Sequence, residues 1–193
     1  SSPSRGLGDV YKRQQLVQMG LTATTIPEEY GGIGMGFLEL CVIAEELGRG
    51  IAPVPFSSSV YLATTAILNS SNEEIKKEFL PKLAAGEIIG TFAHSEKTTF
   101  PNESGINVNF KSGKISGKKV AVPDGDIANF ALVTAKSDKN QIGLFLVDLS
   151  SNGVEINSLD TFDPSRSHAD IVFENVEARA LNNDAWSLSL IHI

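Results

Sequence analysis

Between residues 37 and 50 the segment FLELCVIAEELGRG repeats its apolar positions with the period of an α-helix. Phe37, Leu40, Cys41, Ala44 and Leu47 fall at i, i+3, i+4 spacing, which predicts one buried face with Glu39, Glu45 and Glu46 opposite it. Gly48 or Gly50 supplies a left-handed stop. Helical patterning extends over 15–86. Ser57 to Ser59 are placed to cap a helix through VYLATTAILN, and Ser71-Asn72-Glu73-Glu74 reads as a capping box ahead of IKKEFLPKLAAG. Pro81 inside that pattern predicts a kink or a restart near Phe79, because proline removes a donor and crowds the preceding turn. The four glycines of IPEEYGGIGMG mark a loop.

From Ile88 the period changes to two. Ile106, Val108 and Phe110 alternate with Asn107 and Asn109, and 111–114 offers a hairpin turn into Ile115. Four more strands are predicted at 118–122, 129–135, 142–148 and 169–176, separated by Gly, Asp, Asn and Ser clusters. The expected fold class is α+β: an N-terminal helical domain at 15–87, then an antiparallel sandwich or barrel-like domain at 88–181. The flanks, 1–14 and 182–193, match neither pattern. SSPSRGLGDVYKRQ and SLSLIHI resemble translated sequencing-adapter sequence, so both are set aside as non-native tails and the chain is expected to be a fragment.

Composition narrows the function classes. With 41% hydrophobic and 20% charged residues the chain reads as soluble and globular. A net charge of −7 without a Lys/Arg stripe argues against nucleic acid. No apolar run reaches the roughly 18 residues of a membrane span. The single cysteine, Cys41, rules out an internal disulfide, fits a reducing, cytoplasmic setting and reads as a small core residue. His94, His168 and His192 are far apart, and no metal, Walker or dinucleotide-binding spacing occurs. The stretch IIGTFAHSE is different. A buried-looking strand there ends in hydrogen-bonding side chains, which either simply terminate the strand or face a bound cofactor.

The order of segments carries more than any one motif. PEEYGG, EELGR, LPKLAAGE, IIGTFAHSE, the hairpin rising to SGKKVAVPDG, GLFLVD and VFENV follow one another over residues 21–181, and the series resembles the acyl-CoA dehydrogenase family. That resemblance implies a helical domain, a middle β-domain and a further four-helix bundle beyond this chain. It implies FAD as cofactor, an acyl-CoA substrate, an electron-transfer flavoprotein as electron acceptor, a homo- or hetero-oligomer, and no membrane or nucleic-acid partner.

By the same resemblance the flavin ring is met by Phe92, His94 and Ser95 at the strand end and by Val122 and Pro123 in the KKVAVPDG stretch. A tryptophan and a threonine usual in the family are replaced by Ala121 and Pro123, and KTTFPNESG replaces a small Gly-Ser loop. The D-x-x-R of FDPSRSH, Asp163 and Arg166, looks like that of divergent members. Arg166 is a candidate for cofactor or coenzyme A contact, or half of a structural ion pair with Asp163. No catalytic residue and no metal ligand is assigned, since the family's base is expected to be a Glu outside this chain, and the chain alone is expected to be inactive. The rival readings are a non-catalytic partner subunit of a heteromeric enzyme, a related flavoprotein oxidase or monooxygenase, and a β-sandwich binding module.

Overall fold

The computed structural model describes residues 4–97, 105–139, 141–163 and 165–182, with backbone alone for 4–10 and 182. Residues 183–193 of the tail expected to be non-native and Thr98 to Pro101 of the KTTFPNESG stretch lie outside the described residues.

Helices α1 (Ser4–Gln18) and α2 (Phe37–Arg49), a π-helical segment (Phe56–Thr64) running into α3 (Thr65–Leu68), and α4 (Glu73–Ala84) come first. Among the described residues eight strands follow: β1 (Gly90–Ala93), β2 (Asn109–Lys111), β3 (Lys114–Pro123), β4 (Phe130–Ser137), β5 (Ile142–Asp148), β6 (Val154–Leu159), β7 (His168–Glu177) and β8 (Arg179–Asn182). The fold is α+β. Its strands form one mostly antiparallel sheet in the order β6-β7-β3-β2-β4-β5-β8, with β1 beside β4, and this sheet does not close into a barrel. The backbone of 4–14, set aside above, continues α1 toward its start, and Arg13 donates to the carbonyls of Gly86 and Ile88.

The middle of the sheet is buried on both faces. Along β4, Phe130 and Leu132 face a core shared with Ile67, Ile75 and Leu80 of the helical half, whereas Ala131, Val133 and Ala135 face a second core with Phe145, Ile171 and Phe173. A strand covered twice reads as a continuous apolar run, which is what FALVTA is. Two strands were not foreseen. β6 is mostly exposed with little apolar alternation, and β8 is a four-residue edge strand on β5.

The helices differ from expectation in register. The face of α2 that packs is Leu40 with Ile43, Ala44 and Leu47, against Val54, Phe56 and Val60. Cys41 is therefore exposed, not a core residue, its Sγ 3.4 Å from the Tyr61 hydroxyl, and Phe37 is 55% exposed. The helix carries apolar residues almost all round, so two stripes of the same period were available and packing chose the neighbouring one. Ser57 to Ser59 do not cap a helix: Pro55 precedes the π-helical turns, and the hydroxyls of Ser57, Ser58 and Ser59 turn instead toward the sheet and the loop before β7. The cap of α4 is Asn72, which accepts from Ile75 N–H at 3.2 Å. Ser71 lies before it, because Ser70 Oγ takes the Asn72 N–H and donates to Leu181 O, tying the helix start to β8. The helix runs through Pro81 without a restart.

Gly90 lets β1 press against the π-helical segment. A Cβ there would lie 2.5 Å from Phe130 Cζ and 2.7 Å from Ala63 Cβ. Gly90→Ala is expected to lower stability by about 1–3 kcal/mol through overpacking, measured by urea denaturation. An unchanged midpoint would show that this contact is loose.

Candidate functional site

Strand β1 and the end of β3 form a seam fastened at both ends. Thr91 Oγ1 donates to Pro123 O at 2.5 Å, and Val120 N–H donates to Ser95 O at 2.8 Å. Residues 91–95 therefore run alongside 123–120, which brings the five predicted cofactor residues onto one ribbon. They are not equally available. His94, Ser95 and Pro123 are half-buried. Val122, 1% exposed, packs in the core with Ile171, so its side chain offers no face to a ligand and its expected contact is lost to packing. Phe92, 7% exposed, is likewise a core residue of the interface with the helical half. Near Ala121 the β3–β7 register slips between Lys119 and Val122. Ala121 is exposed, has φ +49°, and gives its N–H to Asp170 Oδ1 at 3.1 Å. This left-handed kink swings the strand end toward β1.

Beneath the seam lies Lys119, fully buried. Its ammonium donates to His94 O at 2.9 Å, Glu96 Oε1 at 2.8 Å and Thr134 Oγ1 at 3.0 Å, so all three protons are used. Glu96 also accepts from Asn107 N–H at 2.6 Å and Val108 N–H at 3.1 Å, joining the end of β1 to the segment that leads into β2. Burial pushes Lys119 down to about 8, against the pull of Glu96. For Glu96 burial pushes up, but the Lys119 bond and charge and the two amides outweigh it and hold the carboxyl below its usual range. His94 is lowered by burial and by the Lys119 charge, with Glu96 opposing.

At the other end of the seam Asp124 is buried with φ +53°. Its Oδ2 accepts from Ser58 Oγ at 2.5 Å and from Arg166 Nη2 at 3.3 Å, and its N–H donates to Ser167 O at 2.9 Å. Arg166 Nη2 also donates to Ser57 Oγ at 2.6 Å. Arg166 is thus paired with Asp124 and not with Asp163, which instead accepts from the N–H and Oγ of Ser165 two residues on. A cavity of about 330 Å³ opens beside this cluster, lined by Ala44, Leu47, Phe56, Tyr61 and Arg166 among others. Arg166 Nε and His168 Nδ1 are buried without a hydrogen-bond partner among the described residues.

Lys119, Asp124, Thr134 and Ser58 were missed by the sequence reading. For Lys119 a signal existed: with Ile115 inward, strand parity turns residue 119 inward and Lys118 outward. Asp124 was hidden in a Pro-Asp-Gly sequence that reads as an ordinary turn.

The residues present fit part of a flavin. Such a ring needs donors and acceptors at its rim, since each buried unmet polar group costs a few kcal/mol. His94 and Ser95 supply polar groups at one end of the seam, and the orphaned Arg166 Nε and His168 Nδ1 mark the other as polar and unsatisfied. Ala121 supplies only a methyl as cover. Among the described residues no group of His, Cys, Asp or Glu is arranged to hold a metal ion, and no helix is long and apolar enough to cross a membrane.

Comparison with known proteins finds the following similarities. Residues 9–87 match the family model described as acyl-CoA dehydrogenase, N-terminal domain. The mitochondrial isovaleryl-CoA dehydrogenase of Pongo abelii is 29% identical over 200 residues, covering 94% of this chain and 46% of that protein. A solved structure of the Tcur3481-Tcur3483 steroid ACAD superposes with a TM-score of 0.84 at 30% identity, covering 98% of this chain and 52% of that one. An acyl-CoA dehydrogenase complexed with FAD from Bacillus anthracis shares the fold, with a TM-score of 0.79 at 24% identity, covering 91% of this chain and 31% of that one. The chain thus spans about half the length, or less, of the proteins it matches.

The buried pair sets an acid limit on stability. The folded-state carboxyl of Glu96 lies below its unfolded value of 4.5, so its contribution is complete above that pH and is lost as pH falls through the folded value. Urea unfolding between pH 7 and 3 is expected to show this loss. Glu96→Gln is expected to be about 3–5 kcal/mol less stable at pH 7, with a shallower acid limb. An unaltered acid limb would mean that the pair is not formed.

Separately, Ser58→Ala removes a bond to the buried Asp124 carboxylate and is expected to cost about 1.5–3 kcal/mol in the same measurement. A change within about 0.5 kcal/mol would show the contact between the helical half and the sheet to be dispensable.

Proposed function

The chain belongs to the acyl-CoA dehydrogenase family, and from that premise we propose that the whole protein desaturates an acyl-CoA thioester between its α and β carbons with FAD as cofactor. The observation that carries the reading is the seam. A half-exposed polar strand end, His94 and Ser95, is fixed beside the half-exposed Pro123 with a buried charge network holding it from below. FAD, when bound, supplies the hydride acceptor that no amino-acid side chain can provide.

The chain's own residues would do the holding. Ser95 and His94 would meet the polar rim of the ring and Pro123 and Ala121 would cover it, while the Arg166 guanidinium lines the neighbouring cavity. That cavity is apolar apart from Arg166, Ser57, Ser165 and the Tyr61 hydroxyl, which suits the tail of an acyl substrate. The proton-abstracting base is not among the buried carboxylates here. Glu96 is committed to Lys119 and two backbone amides, and Asp124 to Ser58, Ser167 and Arg166, which leaves neither poised to take a proton from carbon. The base is proposed to be a Glu supplied outside this chain, so that the 193 residues alone turn over no acyl-CoA. Electrons would pass to an electron-transfer flavoprotein, and the whole protein would assemble as a homo- or hetero-oligomer.

The test is made on the full-length protein. It is expected to bind FAD, and anaerobic addition of straight and branched acyl-CoA thioesters is expected to bleach the flavin absorbance. FAD binding without bleaching by any thioester would favour the non-catalytic partner subunit. A protein that stays colourless after reconstitution with FAD would overturn the reading.

A further inference from the structure

The cavity beside Asp124 has a wall of uneven chemistry. Leu47, Phe56 and Tyr61 give it apolar and aromatic surface, while Ser57, Ser165 and Arg166 bring polar groups to it. The hydrogen bonds those groups already make determine what they can still offer. A guanidinium has five N–H donors and no acceptor. In Arg166, Nη2 is bonded to Ser57 Oγ at 2.6 Å and to Asp124 Oδ2 at 3.3 Å, and Nε is shut away from solvent without a partner among the described residues. The side chain is still 30% exposed, so the two Nη1 protons are the donors it can present to the cavity. Because Arg166 only donates, Ser57 Oγ accepts from it and keeps its own proton, for which no acceptor occurs among the described residues. Ser165 is in the opposite state, its proton given to Asp163 Oδ1 at 2.6 Å.

Two side chains bonded to each other on this wall therefore both retain donors. A hydrocarbon tail filling the cavity would strip water from them and return nothing, which is costly next to a charged group. A tail with an acceptor oxygen replaces that water. Asp124 decides the charge of the acceptor: its carboxylate, 5% exposed, already balances the guanidinium, so a second carboxylate would bring like charges together across one arginine. A carbonyl oxygen has two lone pairs, no proton and no net charge, and so matches the two donors. Asp124 is itself held, by Ser58 Oγ at 2.5 Å and through its N–H to Ser167 O, which anchors the guanidinium before any ligand arrives.

We propose that Arg166 and Ser57 form an oxygen-recognition point in this cavity, selecting a thioester whose acyl tail carries a neutral carbonyl oxygen, as in a keto-acyl chain. Placing an acyl tail there rests on the function proposed above, whereas the donor count does not.

The test uses the full-length protein and acyl-CoA thioesters of equal chain length: one with a hydrocarbon tail, several with a ketone at successive positions toward the far end, and one with a terminal carboxylate. Affinity is read by isothermal titration calorimetry with any bound flavin reduced beforehand, so that no chemistry follows binding, and bleaching of the oxidised flavin is recorded separately. At least one ketone is expected to bind about tenfold more tightly than the hydrocarbon, the scale of one hydrogen bond, and more tightly than the carboxylate. Arg166→Lys keeps the charge beside Asp124 but not the planar fork, and is expected to reduce that preference to about twofold while affinity for the hydrocarbon is nearly kept. Ser57→Ala is expected to lower the preference in part, and covers the case in which the lysine variant fails to fold. A merely structural role for either residue would shift all the affinities alike. Equal affinity for every tail, a preference unchanged in the variants, or tightest binding of the carboxylate would overturn the inference. A ketone preference that the variants lose, in a protein that binds no FAD or whose flavin no thioester bleaches, would leave the inference standing and remove the dehydrogenase reading alone. Bleaching by every thioester without any preference among tails would do the reverse.

Discussion

A lysine ammonium with no exposure to solvent, set where three strands converge, is the constraint from which the rest of the arrangement follows. Taking a lone ammonium out of water costs several kcal/mol even after relaxation, and an unpaired one would lose its proton or unfold its surroundings. Lys119 meets that cost with three acceptors from two other segments of the chain: a backbone carbonyl at residue 94 and a carboxylate at 96 beyond β1, and a hydroxyl at 134 on β4. Such a site has one geometry. Residues 94–96 cannot shift along β3 without leaving a buried charge unmet, and the amides of Asn107 and Val108 are gathered onto the same carboxylate. A buried pair of this kind adds little net stability compared with a well-packed apolar pair, so its effect is registry.

That registry explains why a short strand ends in polar side chains instead of in a Gly/Pro turn. β1 is only four residues long and pairs in parallel with β4. Its continuation through His94 and Ser95 has no ladder partner on β4, and is held instead by Val120 N–H and the Lys119 ammonium. The bend at Ala121 then carries β3 past it to Pro123 and Asp124, where the Ser57–Ser58 turn of the helical half and Arg166 close the cluster. The π-helical segment is part of the same design. Its wide turns spend serine hydroxyls on the sheet and the β7 loop rather than on the helix, so the two halves of the chain meet through hydrogen bonds as well as through the shared apolar core.

Much of this was legible in the residues. The switch of period at Ile88 located the junction between helices and sheet, and β4, β5 and β7 lie within a few residues of their predicted spans. What was not legible has specific causes. On α2, apolar residues at 37, 38, 40, 41, 42, 43, 44 and 47 allow more than one stripe, and only the position of Val54 and Phe56 decides between them. In β6 only Val154 and Ile156 alternate with polar residues and both are only partly buried, while 158 and 159 are exposed, so the signal is too short to mark a strand. Of the residues expected to meet a cofactor, His94 and Ser95 lie half-buried at the end of β1, whereas Val122 packs in the core. Arg166 was matched to the acid nearest in sequence, Asp163, but its partner is 42 residues away in the chain. Long-range polar pairing of this sort depends on topology, and neither propensity nor spacing encodes it.

The most direct measurement is hydrogen–deuterium exchange of the full-length protein with and without FAD. If the Lys119-anchored seam is the cofactor rim, peptides covering 91–97 and 119–124 gain protection together when FAD binds. Protection that appears only elsewhere, with both of these segments unchanged, would contradict the account.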